Sequence, residues 1–353
     1  MFFWGLTVLT VLMAVFVIKF AILPLNISKG WKMFLSFLML LFSQKMGIVF
    51  FLSSFFPSLN SEPAMIILGF FFAFILFMFI CTVVLCLLGL FGIFLPIYSV
   101  FISAFILSAV GVFFAVQVPT VQQIKINANL NTPFKIVQLT DLHIGSGFTG
   151  SWLQKVVDKT NALKPDIVVI TGDLIDGSPD VLDKELQPLK QLNAPVYYVY
   201  GNHEYYYGLK RWQKEFSALG LTLLENNSVD LGNIVIGGVG MPKAEHFGYP
   251  NPNLTKTFEN THPNKVRILL SHYPEMFDEA IKHNVLLQLS GHTHGGQLFW
   301  PFNLITKKAN KGYLKGMYRK DKHYLYVSHG TGVWGGLALR LGTRAEITEF
   351  ILE

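Results

Sequence analysis

Cysteine and charge are both scarce in this sequence, and neither is spread evenly along it. The two cysteines, Cys81 and Cys86, lie inside one apolar run, so residues 121–353 contain neither a disulfide framework nor a thiolate metal site. The first 120 residues carry five charged side chains: Lys19, Lys29, Lys32, Lys45 and Glu62. So little charge over such a length is typical of a membrane region.

Four apolar segments divide this region, at residues 2–24, 33–56, 64–92 and 95–117. A bilayer crossing takes about 20 predominantly apolar residues, so each segment is long enough. The second is interrupted by Gln44 and Lys45 and fits either a kinked span or a re-entrant pair. A cleaved signal peptide fits the first segment poorly, because the apolar run is long and others follow it. We predict an N-terminal multi-pass transmembrane region of about four helices over residues 1–120, with three or five as alternatives.

The loop charges favour one orientation of this region in the cell membrane. Lys29 and Lys32 place the first loop in the cytoplasm, whereas the second loop carries only Glu62. With four spans, residues 121–353 then lie outside the cytoplasm, although a cytoplasmic Lys45 or a fifth span reverses that assignment. The sequence thus predicts a multi-pass integral membrane protein whose partner is the lipid bilayer.

From Val121 onward, short β-rich runs alternate with amphipathic helical stretches. Eight runs predict strands, at residues 134–140, 166–172, 195–201, 233–239, 266–271, 285–291, 323–330 and 344–352. Four stretches predict helices, at residues 151–164, 180–192, 209–219 and 274–284. Such alternation predicts a layered α/β domain over residues 121–353. Its 24 basic residues are interleaved with 21 acidic ones, which argues against nucleic acid as a partner.

Metal-competent side chains follow the carboxyl ends of five of these predicted strands. They are Asp141 and His143, Asp173, Asn202 to Glu204, His272, and His292 and His294. Ligands of layered α/β folds bind at the carboxyl ends of strands, so the five strand ends point to one site. Residues two apart in an extended segment face the same way, as the D-x-H and H-x-H pairs require. Asp, Asn and neutral His together suit Mn, Fe or Zn better than Ca or Mg.

Each motif alone is common in structural turns, but together they predict a two-metal site. The series D-x-H, G-D, G-N-H-E, H and G-H-x-H, from Asp141 to His294, resembles the calcineurin-like metallophosphoesterase superfamily over residues 122–353. The multi-pass start and the G-T-R-A-E-I stretch at 342–347 resemble its membrane-associated branch. That branch includes transmembrane metallophosphoesterases and UDP-2,3-diacylglucosamine hydrolases of lipid A synthesis.

The resemblance implies a four-layer αββα sandwich that binds two divalent cations and hydrolyses phosphoric esters. The implied metal ligands are Asp141, His143 and His294 for one cation, Asn202, His272 and His292 for the other, and Asp173 as the bridge between them. His203 is implied as a catalytic residue that faces the scissile phosphate. Two cations about 3.5–4 Å apart lower the pKa of a bridging water and clamp the phosphoryl oxygens, while His203 can protonate the leaving group.

Three basic residues late in the chain, His329, Arg340 and Arg344, are candidate substrate-binding groups, since arginine is the natural bidentate partner of phosphate. A surface ion pair between Arg344 and Glu346 is the alternative. The tyrosines of the YYYG stretch at 205–208 can either stack on a nucleobase or sugar or pack as core.

The predicted function is a membrane-anchored, dimetal-dependent phosphoesterase that hydrolyses a phosphodiester or pyrophosphate bond. The apolar region favours a phosphorylated amphiphile as substrate, such as a phospholipid, a lipid-linked nucleotide or a UDP-acylsugar. One alternative is a phosphodiesterase for small soluble nucleotides. Another is a catalytically inactive membrane-binding module, although the intact ligand set and His203 argue against it.

Overall fold

A computed structural model of the chain describes residues 2–44, 62–145, 147–333 and 338–353. The chain divides into two compact units. The first contains the described residues up to Val116 together with Ala338 and Leu339, and the second contains the other described residues from Gln117 onward.

The described part of the first unit is helical. Its helices are α1 (Phe2–Val17, continued by a π-helical turn at Ile18–Ile22), α2 (Lys29–Ser43), α3 (Glu62–Leu90) and α4 (Tyr98–Ala115). Ser28 caps α2, because its hydroxyl accepts a hydrogen bond from the Trp31 amide at 3.4 Å. Gly92 adopts a left-handed conformation (φ 76°) just beyond the end of α3, which glycine tolerates without strain.

Two of the four predicted spans form helices long and apolar enough to cross a bilayer. These are Ile66–Leu90, with a mean hydropathy of 3.0, and Tyr98–Ala115, with 2.1. The first apolar run forms a shorter apolar helix, Thr7–Ile22. The second run begins within α2, and its remainder from residue 45 lies outside the described residues. The described residues therefore support two spans, and the prediction of about four is not confirmed.

The second unit contains two six-stranded mixed sheets in its described part. The first sheet has the spatial order β1 (Thr120–Ile126), β12 (Glu346–Leu352), β2 (Phe134–Leu139), β3 (Ile167–Thr171), β4 (Val196–Val199) and β5 (Leu221–Leu223). The second has the order β10 (Gly316–Lys320), β11 (His323–Val327), β9 (Val285–Ser290), β8 (Val266–Ser271), β7 (Ile234–Val239) and β6 (Asn227–Asp230). Strands β2 to β5 run parallel, as do β7, β8, β9 and β11.

All eight strands expected from the sequence are present, and the four unexpected ones are β1, β5, β6 and β10. Each of these four lies at the edge of a sheet, where one side of the backbone is unpaired. Edge strands need no continuous apolar run, and β6 (NSVD) and β10 (GMYRK) have none. Hydrophobic patterning therefore detects the buried strands and misses the edges.

The inner faces of the two sheets share one hydrophobic core. Strand residues from both sheets meet there, including Ile136, Val169, Val199, Ile236, Leu270, Leu287 and Phe350. Because parallel strands are buried on both faces, the outer faces need cover as well. On the second sheet this cover comes from α9 (Leu254–Phe258) and α10 (Phe277–Lys282), whose apolar residues pack against β7, β8 and β9.

The first sheet is accompanied by the helices α5 (Gly150–Ala162), α6 (Pro179–Leu186) and α8 (Leu209–Ala218). Phe216 of α8 packs edge-on against Tyr198 of β4 with ring centroids 5.3 Å apart. The helix expected at 180–192 is divided, because α6 passes into a 3₁₀ turn at Gln187–Gln191 that contains Pro188, which has no backbone N–H to donate. The described fold is thus a mixed α/β domain with helices beside both sheets.

Candidate metal centre

The carboxyl ends of β2, β3, β4, β8 and β9 bring the predicted metal ligands together. Five of those ligands have a positive φ, which is rare for residues other than glycine: Asp141 (53°), His143 (47°), Asp173 (52°), His292 (72°) and His294 (50°). Strained backbone of this kind persists where the surrounding structure holds it, and it concentrates at functional sites. The local conformation therefore marks the same residues as the motifs do.

Two glycines allow the strand ends to approach this closely. A Cβ added to Gly201 would lie 2.1 Å from Asp173 Oδ1, and one added to Gly291 would lie 2.3 Å from Asp141 Oδ2. No side chain fits at either position without displacing a carboxylate. The glycines of G-N-H-E and G-H-x-H thus leave room for the carboxylates of the D-x-H and G-D motifs.

Asp141, His143 and His294 form the first cluster of donors. His294 Nε2 lies 3.3 Å from Asp141 Oδ1 and 3.1 Å from His143 Nε2. All three side chains are buried. The Asp141 carboxylate is fixed by the Thr140 hydroxyl (2.8 Å) and by the backbone amide of His292 (3.1 Å).

Asp173, His272 and His292 form the second cluster. His272 Nε2 lies 3.3 Å from Asp173 Oδ2 and 3.2 Å from His292 Nδ1. His272 Nδ1 hydrogen-bonds the carbonyl oxygen of Thr171 at 2.8 Å, which leaves Nε2 free to face the cluster. In both clusters one ligand atom from each residue lies within 4.8 Å of the others.

Asp173 stands between the two clusters. Its Oδ2 lies 3.8 Å from His143 Nε2 of the first cluster and 3.3 Å from His272 Nε2 of the second. Asn202, which follows β4, is buried beside the second cluster, and its Oδ1 accepts a hydrogen bond from the Tyr273 hydroxyl at 3.2 Å. The geometry therefore places the two clusters side by side with Asp173 between them, and Asn202 lies beside the second.

The electrostatics of the pocket are coupled through these short distances. Burial raises the pKa of Asp173, but the charges of His272 and His203 outweigh it and hold that pKa well below its usual range. Burial lowers the pKa of His272, yet the Asp173 carboxylate raises it to about 9. For His292, burial and then the charge of His272 lower the pKa to about 3. Neighbouring imidazoles thus cannot all be protonated at once.

This donor set fits divalent cations. Two imidazole pairs have ring nitrogens 3.1 and 3.2 Å apart, and each pair adjoins a buried carboxylate. Of the four rings, that of His292 is half-buried and the others are buried. His294 Nδ1 is buried and has no hydrogen-bond partner among the described residues. Burying charged groups is costly unless opposite charge compensates them, and neutral imidazole with carboxylate is a donor set for Mn, Fe or Zn. Two dications held there would exceed the charge of the Asp141 and Asp173 carboxylates and would make the centre attractive to an anion.

His203 lies at the edge of the donor set. It clusters with His143 and Asp176, and it is in neither of the two clusters described above. Its Nε2 is 3.9 Å from Asp173 Oδ2, and its backbone amide donates to Asp173 Oδ1 at 2.9 Å. Burial lowers the pKa of His203, but the carboxylates of Asp173 and Asp176 raise it to about 10. The ring is therefore held in its protonated, hydrogen-donating form near neutral pH.

Asp176 is a functional residue that the sequence reasoning missed. Its Oδ1 hydrogen-bonds both His143 Nδ1, at 2.9 Å, and His203 Nδ1. Burial raises the pKa of Asp176, but the charges of His143 and His203 outweigh it and hold that pKa well below its usual range. One carboxylate thus orients a predicted ligand and the predicted catalytic histidine together. The available signal was its position three residues after Asp173, in the sequence G-D-L-I-D.

Glu204 has a structural role next to the site. Its carboxylate accepts from the backbone amides of Asp173 (3.1 Å), Leu174 (2.7 Å) and Gly201 (2.7 Å). These bonds join the end of β3 to the start of α7 (Asn202–Tyr206). Burial, followed by the charge of Asp173, raises the pKa of Glu204 to about 7. The last residue of G-N-H-E therefore positions the loops that carry the ligands.

The three predicted substrate-binding residues differ in their surroundings. Arg340 is fully buried, and its guanidinium donates to the carbonyl oxygens of His329 (2.8 Å) and Gly330 (3.3 Å). These bonds tie the guanidinium to the loop at 329–330, and the contact of Arg340 with substrate stays a prediction.

His329 is partly exposed, and its ring lies 3.5 Å from where a Cβ on Gly295 would be, beside the turn of His294. Lys315, which the sequence reasoning did not single out, lies against the same glycine at 3.4 Å. Arg344 is exposed. His329 and Lys315 therefore both lie beside the turn that carries His294, and the buried guanidinium of Arg340 donates to the His294 carbonyl oxygen at 3.5 Å.

Two of the three tyrosines after Glu204, Tyr205 and Tyr206, take the two roles left open by the sequence. Tyr205 is buried, and its ring lies 5.9 Å from that of Tyr200. Tyr206 is 59% exposed, with its ring 5.6 Å from His203 and 5.9 Å from Phe247. Tyr205 is thus core, whereas Tyr206 is an accessible aromatic ring beside the predicted catalytic histidine.

Comparison with known proteins agrees with this geometry. The sequence profile described as calcineurin-like phosphoesterase matches residues 134–296, a range that includes all seven predicted ligands and His203. An uncharacterised metallophosphoesterase of Campylobacter jejuni is 36% identical over 241 residues, which is 66% of this chain and 63% of that protein. A transmembrane protein with a metallophosphoesterase domain from Bos taurus is 34% identical over 280 residues, covering 73% of this chain and 62% of that protein.

A metallophosphoesterase of Bacillus subtilis is 35% identical over 228 residues, covering 62% of this chain and 79% of that protein. Against the three relatives from Campylobacter and Helicobacter, the chain spans 59–63% of their length. Among solved structures, a dimetal phosphatase from Danio rerio matches with a TM-score of 0.36 and 13% identity over 56% of this chain and 88% of that one. On the family profile and these relatives, the chain belongs to the calcineurin-like metallophosphoesterase family.

Proposed function

We propose that this protein is a membrane-anchored phosphoesterase that uses two divalent cations to hydrolyse a phosphodiester or pyrophosphate bond. The observation that carries the proposal is the pair of carboxylate–histidine clusters joined by Asp173, with His203 at their edge. The domain is a four-layer αββα sandwich, and Mn, Fe or Zn are the cations that its oxygen and imidazole donors suit.

The predicted site residues have separate roles in metal binding and proton transfer. Asp141, His143 and His294 would hold one cation, Asn202, His272 and His292 would hold the other, and Asp173 lies where it could serve both. When bound, the two cations polarise the phosphoryl oxygens and supply a water of lowered pKa for in-line attack. His203 donates its Nε2 proton to the leaving oxygen, and Asp176 holds His203 in the orientation and protonation state that this transfer needs.

For the substrate we propose a lipid or a lipid-linked nucleotide such as a UDP-acylsugar. The two apolar helices Ile66–Leu90 and Tyr98–Ala115 support this choice, because anchoring in a bilayer brings the centre close to amphiphiles. A similar protein from Danio rerio is also named as a transmembrane protein with a metallophosphoesterase domain. We further propose a multi-pass topology in the cell membrane, with the catalytic domain on the non-cytoplasmic side and no nucleic-acid partner.

A small soluble nucleotide is the second candidate substrate. The exposed ring of Tyr206, 5.6 Å from His203, favours it, because a base or other aromatic leaving group could stack there while His203 protonates the leaving oxygen. The inactive binding module has no comparable support, since the described ligands and His203 are intact.

The dimetal proposal is tested with the full chain in detergent and bis(p-nitrophenyl) phosphate as substrate. Asp173→Ala and His292→Ala should each abolish metal-dependent hydrolysis and lower the bound metal. His283→Ala is the matched control, because His283 lies outside the described clusters and pairs with Glu279 on the surface. Full activity in either site variant would refute the assignment.

The substrate class requires a separate comparison. The purified protein is assayed with a lipid-linked pyrophosphate in mixed micelles and with a cyclic nucleotide in solution, at equal phosphate concentration. A higher kcat/KM for the micellar substrate supports the lipid proposal, and the reverse supports the soluble nucleotide. A comparison of lipids and nucleotides between cells with and without the gene then identifies the phosphorylated species that accumulates.

A further inference from the structure

Exposed apolar side chains in the second unit concentrate in one short segment. Of the eight large hydrophobic residues exposed in its described part, four lie within seven residues: Phe299 (41% exposed), Trp300 (70%), Leu304 (45%) and Ile305 (78%). The helix α11 (Asn303–Ala309) that carries two of them buries none of its residues. Patches of this kind mark interaction sites, because folding alone gives no reason to display them.

The charge around this segment has one sign. From residue 280 to residue 320 the sequence contains no aspartate or glutamate, although it contains six lysines and one arginine. Lys307 and Lys308 lie two and three residues after Ile305 and are exposed. No ion pair among the described residues involves either of them, whereas Lys311 pairs with Glu275 at 3.1 Å. The segment therefore offers an uncompensated pair of cations next to an apolar tip.

The base of the segment is joined to the metal centre. The segment begins three residues after Gly296, and Asn303 packs so closely on Gly296 that a Cβ there would lie 2.5 Å from Asn303 Cβ. Phe299 packs in the same way on Gly342, at 2.9 Å. The exposed tip is thus fixed on the turn that carries His292 and His294, and it cannot move far without that turn.

We propose that residues 299–308 form a membrane-surface contact, in which Phe299, Trp300, Leu304 and Ile305 enter the interface of a bilayer while Lys307 and Lys308 bind its anionic headgroups. Tryptophan with aliphatic side chains beside lysines is the composition of interfacial segments. Lysine is depleted from the cores of protein–protein interfaces, which argues against a second copy as the occupant. This contact is separate from the apolar helices of the first unit.

The contact has a consequence for the substrate, which rests on the proposed function. A bilayer held against residues 299–308 places lipid headgroups beside the turn of His292 and His294. A phosphoester within such a headgroup then reaches the cations with little displacement from the membrane, whereas a soluble ester gains nothing from the segment.

The test locates the segment by fluorescence in the full chain. Ile305→Cys is labelled with an environment-sensitive NBD fluorophore in a Cys81→Ser, Cys86→Ser background and reconstituted into vesicles of phosphatidylcholine and phosphatidylglycerol. Val181→Cys is the matched control, an exposed apolar residue of the same unit (62%) outside the segment. The label at 305 should show a blue shift and quenching by acyl-brominated lipid, and the label at 181 should show neither.

Charge reversal tests the headgroup contact. Lys307→Glu with Lys308→Glu should weaken quenching at 305 in vesicles containing phosphatidylglycerol, since each lysine near an anionic surface strengthens association by roughly fivefold. Lys210→Glu with Lys214→Glu, two exposed lysines of α8, is the control and should leave the quenching unchanged. A blue shift at 305 without lipid quenching would mean that protein covers the segment, and no shift would mean that water does. Either outcome overturns the proposal.

Activity separates this inference from the proposed function. Trp300→Ser with Ile305→Ser should lower turnover of a vesicle-borne phosphodiester several-fold and leave hydrolysis of bis(p-nitrophenyl) phosphate unchanged. If the unmodified protein hydrolyses neither substrate, the proposed function fails, while the quenching at residue 305 still decides the membrane contact.

Discussion

Replacement of Asp176 by asparagine should separate catalysis from metal binding and from folding. The substitution preserves size, but the amide is uncharged and presents one acceptor oxygen to two imidazoles, His143 and His203. The protonated form of His203 loses its closest carboxylate as a result. A hydrogen bond to a charged group contributes about 1.5–3 kcal/mol, which corresponds to a roughly 10- to 150-fold fall in kcat.

The pH profile gives this prediction a direction as well as a size. Asp173 and Asp176 together raise the pKa of His203 to about 10, so the proton is retained through neutral pH. Removing the Asp176 charge lowers the pKa of His203, and the alkaline limb of kcat should move to lower pH. The assay is hydrolysis of bis(p-nitrophenyl) phosphate from about pH 6 to pH 10, which runs from the ordinary pKa of histidine to the raised pKa of His203. Bound metal is measured in parallel.

Asp180→Asn is the matched control for this experiment. Asp180 lies four residues after Asp176 and forms a surface ion pair with Arg211. Its side chain is 68% exposed, whereas that of Asp176 is 3% exposed. Exposed pairs contribute little, so this variant should retain full activity and an unchanged profile. If Asp176→Asn keeps its kcat and its alkaline limb while binding metal normally, Asp176 does not act through His203 and the reasoning is refuted.

Three further predictions follow from the same geometry. Gly201→Ala should lower both bound metal and kcat, the latter roughly 100-fold, because its Cβ would displace the Asp173 carboxylate; unchanged metal content would contradict the close approach. Arg340→Met should lower the free energy of unfolding by about 1–3 kcal/mol for each carbonyl left unpaired, as thermal unfolding can show, and should not raise KM. A raised KM with an unchanged Tm would instead support a contact between Arg340 and the substrate. Removal of metal by a chelator should lower Tm by roughly 5–10 °C, reversibly on adding Mn²⁺ or Zn²⁺, and no shift in Tm would argue against a buried dimetal centre.

The sequence by itself determined the buried strands and the residues that follow them. Apolar runs such as 167–171 and 285–290 can only be buried, and the residues just beyond them must then lie at the carboxyl edge of a sheet. Both properties are local, because they depend on the order of residues within a few positions. That is why the motifs from Asp141 to His294 could be read in advance, although those two residues are 153 positions apart.

The tertiary structure decided which neighbours each side chain meets. Asp176 became the partner of both His143 and His203 because two loops of different strands meet there. Arg340, which the sequence made a candidate substrate-binding group, is buried among backbone carbonyls. The packing of α7 buries Tyr205 in the core and leaves the adjacent Tyr206 exposed on the surface. Apolar residues near position 300 were left exposed in the same way. Packing between distant segments sets each of these outcomes, and no local pattern of residue types encodes it.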